Sequence, residues 1–238
     1  MAVRWGAGGG RVAGVRGGGG QGGAMSAARF RTGSGWSDCT AAEGGEPEHG
    51  LGDPSRRGAW RVLLGRWLPG ESSQVADLAC GTGSLTALVA GLRHSVVGVD
   101  LADRMVQRAR VKTAEFGLRV TIKQGDVTAP PIDPVSVDVV LARHILWTLR
   151  DPQAALARWH SLLRPGGRFL LVEGRWWSVD DEGYNDADGM PWAGGVRAVD
   201  LVAALEPLAQ RIEVVPLPDP KLWGKEIEDE RYLVVATI

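Results

Sequence analysis

The chain has little sulfur. Two cysteines, Cys39 and Cys80, among 238 residues supply neither a disulfide framework nor a four-ligand zinc site. It has no apolar run near the 18 residues that read as a membrane span, and no apolar stretch behind its first residues that reads as a secretory signal. These absences point to a cytoplasmic protein. Acids are missing from residues 1–35, which hold Arg4, Arg11, Arg16, Arg29 and Arg31. The net charge of −1 is therefore uneven. Beyond residue 35 stand 22 basic and 28 acidic residues, a balance that argues against a nucleic-acid groove on the folded part. Residues 1–24 hold eleven glycines and three arginines and cannot bury enough apolar surface to offset their ordering entropy. With the polar, turn-rich residues that follow, 1–52 are expected to be disordered, and Met25 is a second candidate start. The whole chain is 44% apolar and 23% charged, ordinary for a globular protein, and residues 53–238 suit one domain.

The domain is organised around residues 75–86, V-A-D-L-A-C-G-T-G-S-L-T. The apolar run Val75 to Ala79 reads as a buried strand, Gly81 and Gly83 break it, and Ser84 is placed to cap a helix through Leu85, Leu88 and Val89. A ligand can lie against backbone that lacks a Cβ, and the N–H groups of a helix start favour an anionic group. The dinucleotide fingerprint needs a third glycine three residues after the second; that place is taken by Thr86, so a nicotinamide cofactor is disfavoured. Upstream, Asp53-Pro54 marks a helix start. Downstream, Ser95 to Asp100 reads as a second strand ending in an acid placed for ribose hydroxyls, with an N-cap as its alternative role. Residues 119–123 alternate as a third strand ending in Gln124-Gly125-Asp126-Val127. Residues 137–142 form a near-continuous apolar strand buried on both faces, followed by Arg143-His144-Ile145-Leu146-Trp147. Asp151-Pro152 starts another helix, Phe169 to Glu173 is a fifth strand, Arg197 to Leu208 a helix, and residues 211–217 and 231–238 the last two strands.

D-L-A-C-G-T-G-S, V-V-G-V-D, G-D-V and L-R-P-G-G-R-F, in this order over residues from about 55 to 238, resemble the class I S-adenosylmethionine-dependent methyltransferases. The likeness is strongest to the ubiquinone/menaquinone-type branch that methylates small molecules. The resemblance implies an α/β fold: a Rossmann-like, seven-stranded, mostly parallel sheet with helices on both faces and one antiparallel strand near its edge. It implies S-adenosylmethionine as cofactor, held by Asp77, Ala79, Cys80, Gly81, Gly83, Asp100, Leu101, Met105, Gly125, Asp126, Val127, Ala142 and Arg143. No metal is expected.

No N-P-P-Y or D-P-P-Y motif follows the fourth strand, which disfavours methylation of adenine amino groups. Cys80 belongs to the glycine turn and is a poor nucleophile for a pyrimidine ring. A methyl sulfonium is already activated, so transfer needs alignment and desolvation; His144 is the candidate catalytic base, with a packing role as its alternative. Residues 174–195 interrupt the strand–helix rhythm and read as an acceptor lid, with a surface excursion whose tryptophans pack beneath it as the alternative. Trp147, Trp176, Trp177, Tyr184 and Trp192 are the candidate acceptor contacts. The expected partner is a small-molecule methyl acceptor, with no nucleic acid and no membrane span. The alternatives are a protein or RNA methyltransferase, or an inactive S-adenosylmethionine-binding module. The oligomeric state is open.

Overall fold

Runs of apolar residues too short for helices and flanked by turns become the central strands. The structure, a computed structural model, describes residues 2–5, 50–70, 72–175 and 190–238. In chain order the strands are β1 (Ala2–Trp5), β2 (Gln74–Leu78), β3 (Ser95–Asp100), β4 (Val120–Gln124), β5 (Val137–Arg143), β6 (Leu163–Arg175), β7 (Arg211–Pro216) and β8 (Glu230–Thr237). The helices are α1 (Pro54–Trp67), α2 (Ser84–Gly91), α3 (Asp103–Thr113), α4 (Pro152–His160), α5 (Ala198–Leu205) and a single turn, α6 (Pro220–Trp223). The sheet order is β1-β7-β8-β6-β5-β2-β3-β4. Every pairing is parallel except those of β8, which is antiparallel to both β6 and β7. Chain direction across the sheet reverses between β2 and β5, which are paired; this is the switch point beside which ligands bind in such sheets.

Several expectations are corrected. The sheet has eight strands among the described residues, because Ala2–Trp5 pair in parallel with Arg211–Val214; expected disorder therefore fails for these four residues. It also fails next to α1, where Leu51 is buried and the Gly50 and Leu51 carbonyls accept from Arg56 and Arg57. The rest of the N-terminal stretch, residues 6–49, lies outside the described residues. Ser84 does not cap α2: the N-cap is Gly83, in a left-handed conformation. Neither Asp100 nor Asp103 caps α3, whose N-cap is Ala102.

Two apolar layers sandwich the sheet. On one face, Trp60 and Leu64 of α1 and Leu85 and Val89 of α2 pack on Val75, Val96, Val139 and Leu141. Val106 and Ala109 of α3 pack on Ile122 beside them. On the other face, Leu156 and Trp159 of α4 and Leu201 and Leu205 of α5 cover Ala76, Leu78, Val140 and Phe169. The described residues from 50 onward carry 22 basic and 18 acidic side chains, because ten acids fall at residues 36–49, 71 and 176–189.

Candidate active site

At the carboxyl end of β2 the backbone passes through Ala79 (φ 58°), Gly81 (φ 54°) and Gly83 (φ 77°). The two glycines do different work. A Cβ on Gly83 would stand 3.0 Å from the Ala109 Cβ and 3.1 Å from its Cα, so its absence lets α3 close on the turn. A Cβ on Gly81 would meet nothing within 4 Å; that backbone faces open space where a ligand can lie. Asp100 fixes the turn. Its Oδ2 accepts from the Gly81 N–H at 2.8 Å and its Oδ1 from the Ala102 N–H at 2.9 Å. Burial raises its pKa, and those two backbone bonds oppose the rise.

Asp77 lies beneath the turn and is buried. Burial lifts its pKa to about 6, against the hydrogen bond from Thr86 and the nearby Arg143 guanidinium. The Thr86 hydroxyl donates to Asp77 Oδ2 at 2.5 Å. The residue that spoils the dinucleotide fingerprint is thus the partner of the buried acid. Cys80 is buried, and that burial pushes its thiol pKa upward, consistent with a packing role in the turn. The Lys112 ammonium of α3 donates to the Thr82 and Ser84 hydroxyls at 2.8 and 2.7 Å, tying the end of α3 to the start of α2.

After β4 the chain returns to the same edge. The Gly125 N–H donates to the Asp100 carbonyl at 3.0 Å, and a Cβ on Gly125 would press into the Pro131 ring at 2.7 Å. Asp126 is exposed, and its Oδ1 accepts from the Thr128 N–H at 2.8 Å. The Val127 side chain belongs to the core, and its carbonyl accepts from the Trp159 indole. Leu101 is exposed beside Asp100, whereas Met105 is buried in the first turn of α3. So Asp77, Gly81, Asp100, Gly125 and Asp126 gather around one cleft at the carboxyl ends of β2, β3 and β4. Gly83 faces α3.

Across the cleft stands the end of β5. Ala142 is buried and pairs with Leu78. The Arg143 guanidinium lies over the Trp60 ring, 5.1 Å from its centroid. His144 has φ 58°, and its ring stacks on Trp223 at 5.6 Å and 12°, with Nε2 shielded from solvent. Trp223 in turn meets Trp60 edge-on at 5.6 Å, and the Trp60 indole donates to the Leu222 carbonyl at 2.8 Å. One residue that sequence reasoning missed lies just below. Glu173, fully buried near the end of β6, accepts from the Ile145 and Leu146 N–H groups through Oε1 at 3.0 and 2.9 Å. Burial pushes its pKa to about 8, against those two bonds. Its sequence signal was an acid closing an apolar strand. Trp60 and Trp223 had no such signal, being 163 positions apart.

Of the acceptor candidates, Trp147 donates its indole N–H to the His144 carbonyl at 3.0 Å, and Trp192 is half-buried against the main core. Trp176, Trp177 and Tyr184 lie outside the described residues. The far end of the expected lid is fastened down: Arg175 donates to the Ala193 and Gly195 carbonyls at 3.0 and 2.8 Å. Gly195 (φ 105°) sits where a Cβ would collide with the Gly174 carbonyl.

Comparison with known proteins agrees with this geometry. A family model described as a methyltransferase domain matches residues 76–171, the stretch from β2 to β6 that carries the cleft. Over 100 residues the chain is 34% identical to a ubiquinone biosynthesis O-methyltransferase of Xanthomonas euvesicatoria, covering 42% of each chain. Over 116 residues it is 36% identical to nocamycin O-methyltransferase of Saccharothrix syringae, covering 47% of this chain and 41% of the relative. These matches span less than half of the relatives' lengths. Among solved structures, an S-adenosylmethionine-dependent methyltransferase of Mesorhizobium loti superposes with a TM-score of 0.61 at 23% identity, over 79% of this chain and 100% of that one. The stretch that builds this cleft is thus similar to the methyltransferase domain, and the fold around it to that of S-adenosylmethionine-dependent methyltransferases.

Proposed function

We propose that this chain transfers a methyl group from S-adenosylmethionine to a low-molecular-weight acceptor. The observation that carries the reading is the open backbone at Gly81, held by the Asp100 carboxylate at the switch point. The donor set fits the cofactor. Each Asp100 oxygen accepts one backbone N–H and keeps a lone pair, which suits the two ribose hydroxyls. The exposed Asp126 carboxylate suits an exocyclic adenine amine, with the Val127 N–H beside it. Asp77, in reach of Arg143 and Thr86, floors the end of the cleft nearest Gly81, where a methionyl group would lie. Leu101 and Met105 flank the ribose side, and Ala79, Cys80, Ala142 and Arg143 line the turn and the facing strand. Bound there, S-adenosylmethionine supplies a methyl group already activated as a sulfonium. The protein's task is then to align the acceptor and exclude water.

The relatives named for O-methylation in ubiquinone biosynthesis and for nocamycin support a small acceptor with an oxygen nucleophile. His144 is the candidate base for that oxygen. Its stacking on Trp223 favours a second role, shaping the acceptor side of the cleft through Trp147. His144→Gln separates the two: loss of the acidic limb of a rate–pH profile, where the rate rises as the imidazole deprotonates, supports the base, and an unchanged profile with a raised acceptor KM supports the shaping role. For the acceptor class, a protein or RNA acceptor is the competing reading. Isothermal titration with S-adenosylmethionine should show saturable binding. A labelled-methyl screen of phenolic metabolites, RNA and protein should label the phenolic pool. Labelling confined to RNA or protein overturns the small-acceptor reading, and absence of cofactor binding overturns the whole proposal.

A further inference from the structure

Helices α1, α2 and α3 cover one face of the sheet, and charge is not spread evenly around the molecule. Over residues 54–67 and 84–119 the exposed charged side chains are nine basic and two acidic; over residues 120–175 and 190–238 they are five basic and eight acidic, and three of those acids, Asp219, Glu226 and Glu228, flank the turn α6 that packs beside α1. Among the described residues, the positive excess therefore lies on helices α1 and α3 and the segments that join them to their strands. Apolar side chains stand out among these cations. Val62, Val111 and Leu118 are 75%, 80% and 105% exposed, and they are three of the six large apolar side chains so exposed among the described residues. Val62 lies beside Arg61 and one turn before Arg66, Val111 one turn after Arg108, and Leu118 beside Arg119.

We infer that the α1–α3 layer docks the protein on an anionic phospholipid surface. Basic head groups concentrate at such a surface by charge complementarity, each adding attraction within a Debye length. Short apolar side chains between them enter the interfacial region. A single-stranded nucleic acid would instead be held by stacking on exposed aromatic rings, and this layer presents none: Trp60 is buried, and Trp67 and Phe116 are half-buried. The cleft mouth at the start of α2 borders the same layer, so docking would bring it to the interface. This reading rests on the surface alone and not on the identity of the acceptor.

The test uses the full chain and sedimentation with vesicles of phosphatidylcholine, alone or mixed with phosphatidylglycerol. Binding is expected only to the mixed vesicles, and it should weaken as salt rises. The triple variant Arg61→Glu/Arg66→Glu/Arg108→Glu should lose binding by roughly tenfold or more, and Val62→Ser/Val111→Ser should reduce the binding that persists at high salt. Both variants should keep wild-type affinity for S-adenosylmethionine, which distinguishes lost docking from lost fold. No binding to mixed vesicles, or equal binding to neutral ones, overturns the inference. Binding unchanged in the triple variant places attachment elsewhere, such as the arginines of residues 1–35, and overturns it too. Tighter binding to single-stranded RNA than to mixed vesicles at the same salt replaces it with a nucleic-acid surface.

Discussion

Two buried carboxyls, Asp77 and Glu173, sit under the cleft with pKa values lifted to about 6 and about 8. Both exceed the ordinary carboxyl values, so the folded state binds these protons more tightly than the unfolded chain does. The stability this gives is complete below the ordinary values and is lost as pH rises through the folded ones, at up to about 1.4 kcal/mol for each pH unit and group. The melting temperature should therefore fall as pH rises from about 5 to about 8. Glu173→Gln keeps an amide oxygen for the Ile145 and Leu146 N–H groups and cannot ionise. Melts of this variant should lose the upper part of that decline; a decline parallel to wild type would show that Glu173 is not the responsible group. Gly81, Asp100 and Asp126 were legible in the sequence because each ends a strand or stands in a turn of recognisable spacing, and Asp77 because it precedes the first glycine of that turn by four residues. The roles of Glu173 and Thr86 were not, because each depends on which strand or turn packs above it.

The turn between β2 and α2 depends on two glycines whose substitution should fail in different ways. Gly81→Ala incurs the left-handed backbone cost, about 1 to 2 kcal/mol, but its Cβ meets no protein atom. The variant should fold, melt a few degrees lower, and lose S-adenosylmethionine affinity in titration calorimetry. Gly83→Ala adds contact with Ala109 at 3.0 Å to the same backbone cost, for a total of about 2 to 4 kcal/mol, and should lower the melting temperature more than Gly81→Ala does. If Gly81→Ala binds the cofactor as well as wild type, the space over that residue is not where the cofactor lies. The spacing of the elements was readable: Asp53 caps α1 and Asp151 caps α4, each before a proline. The alternative role of Asp100 as the cap of α3 falls away because it spends its oxygens on the Gly81 and Ala102 amides, a choice made by the turn across the sheet.

At the scale of the molecule, β1 decides whether β7 is an edge. The pairing of Ala2–Trp5 with Arg211–Val214 covers one side of β7, so deleting residues 1–5 should do more than trim a tail. The expected loss is about 1 kcal/mol, seen as roughly 2–4 °C in the melting temperature, with faster amide exchange confined to β7. Unchanged melting and exchange would show that this pairing contributes nothing. The glycine-rich composition hid the strand, because four residues carry too little pattern to register beside eleven glycines. The aromatic bridge from Trp60 to Trp223 and His144 was hidden by distance along the chain.

The sequence by itself determined the order of strands and helices, the glycine turn and the acids that end β3 and follow β4. Local spacing, turn chemistry and apolar periodicity act within a few residues and are written in the chain. Only the tertiary structure decided which strand became the outer edge and which buried groups meet beneath the cleft. It also decided where cations gather, placing those of α1 and α3 on one face of the sheet. These are matters of which distant segments become neighbours, and the packing of helices on the two faces of the sheet fixes that.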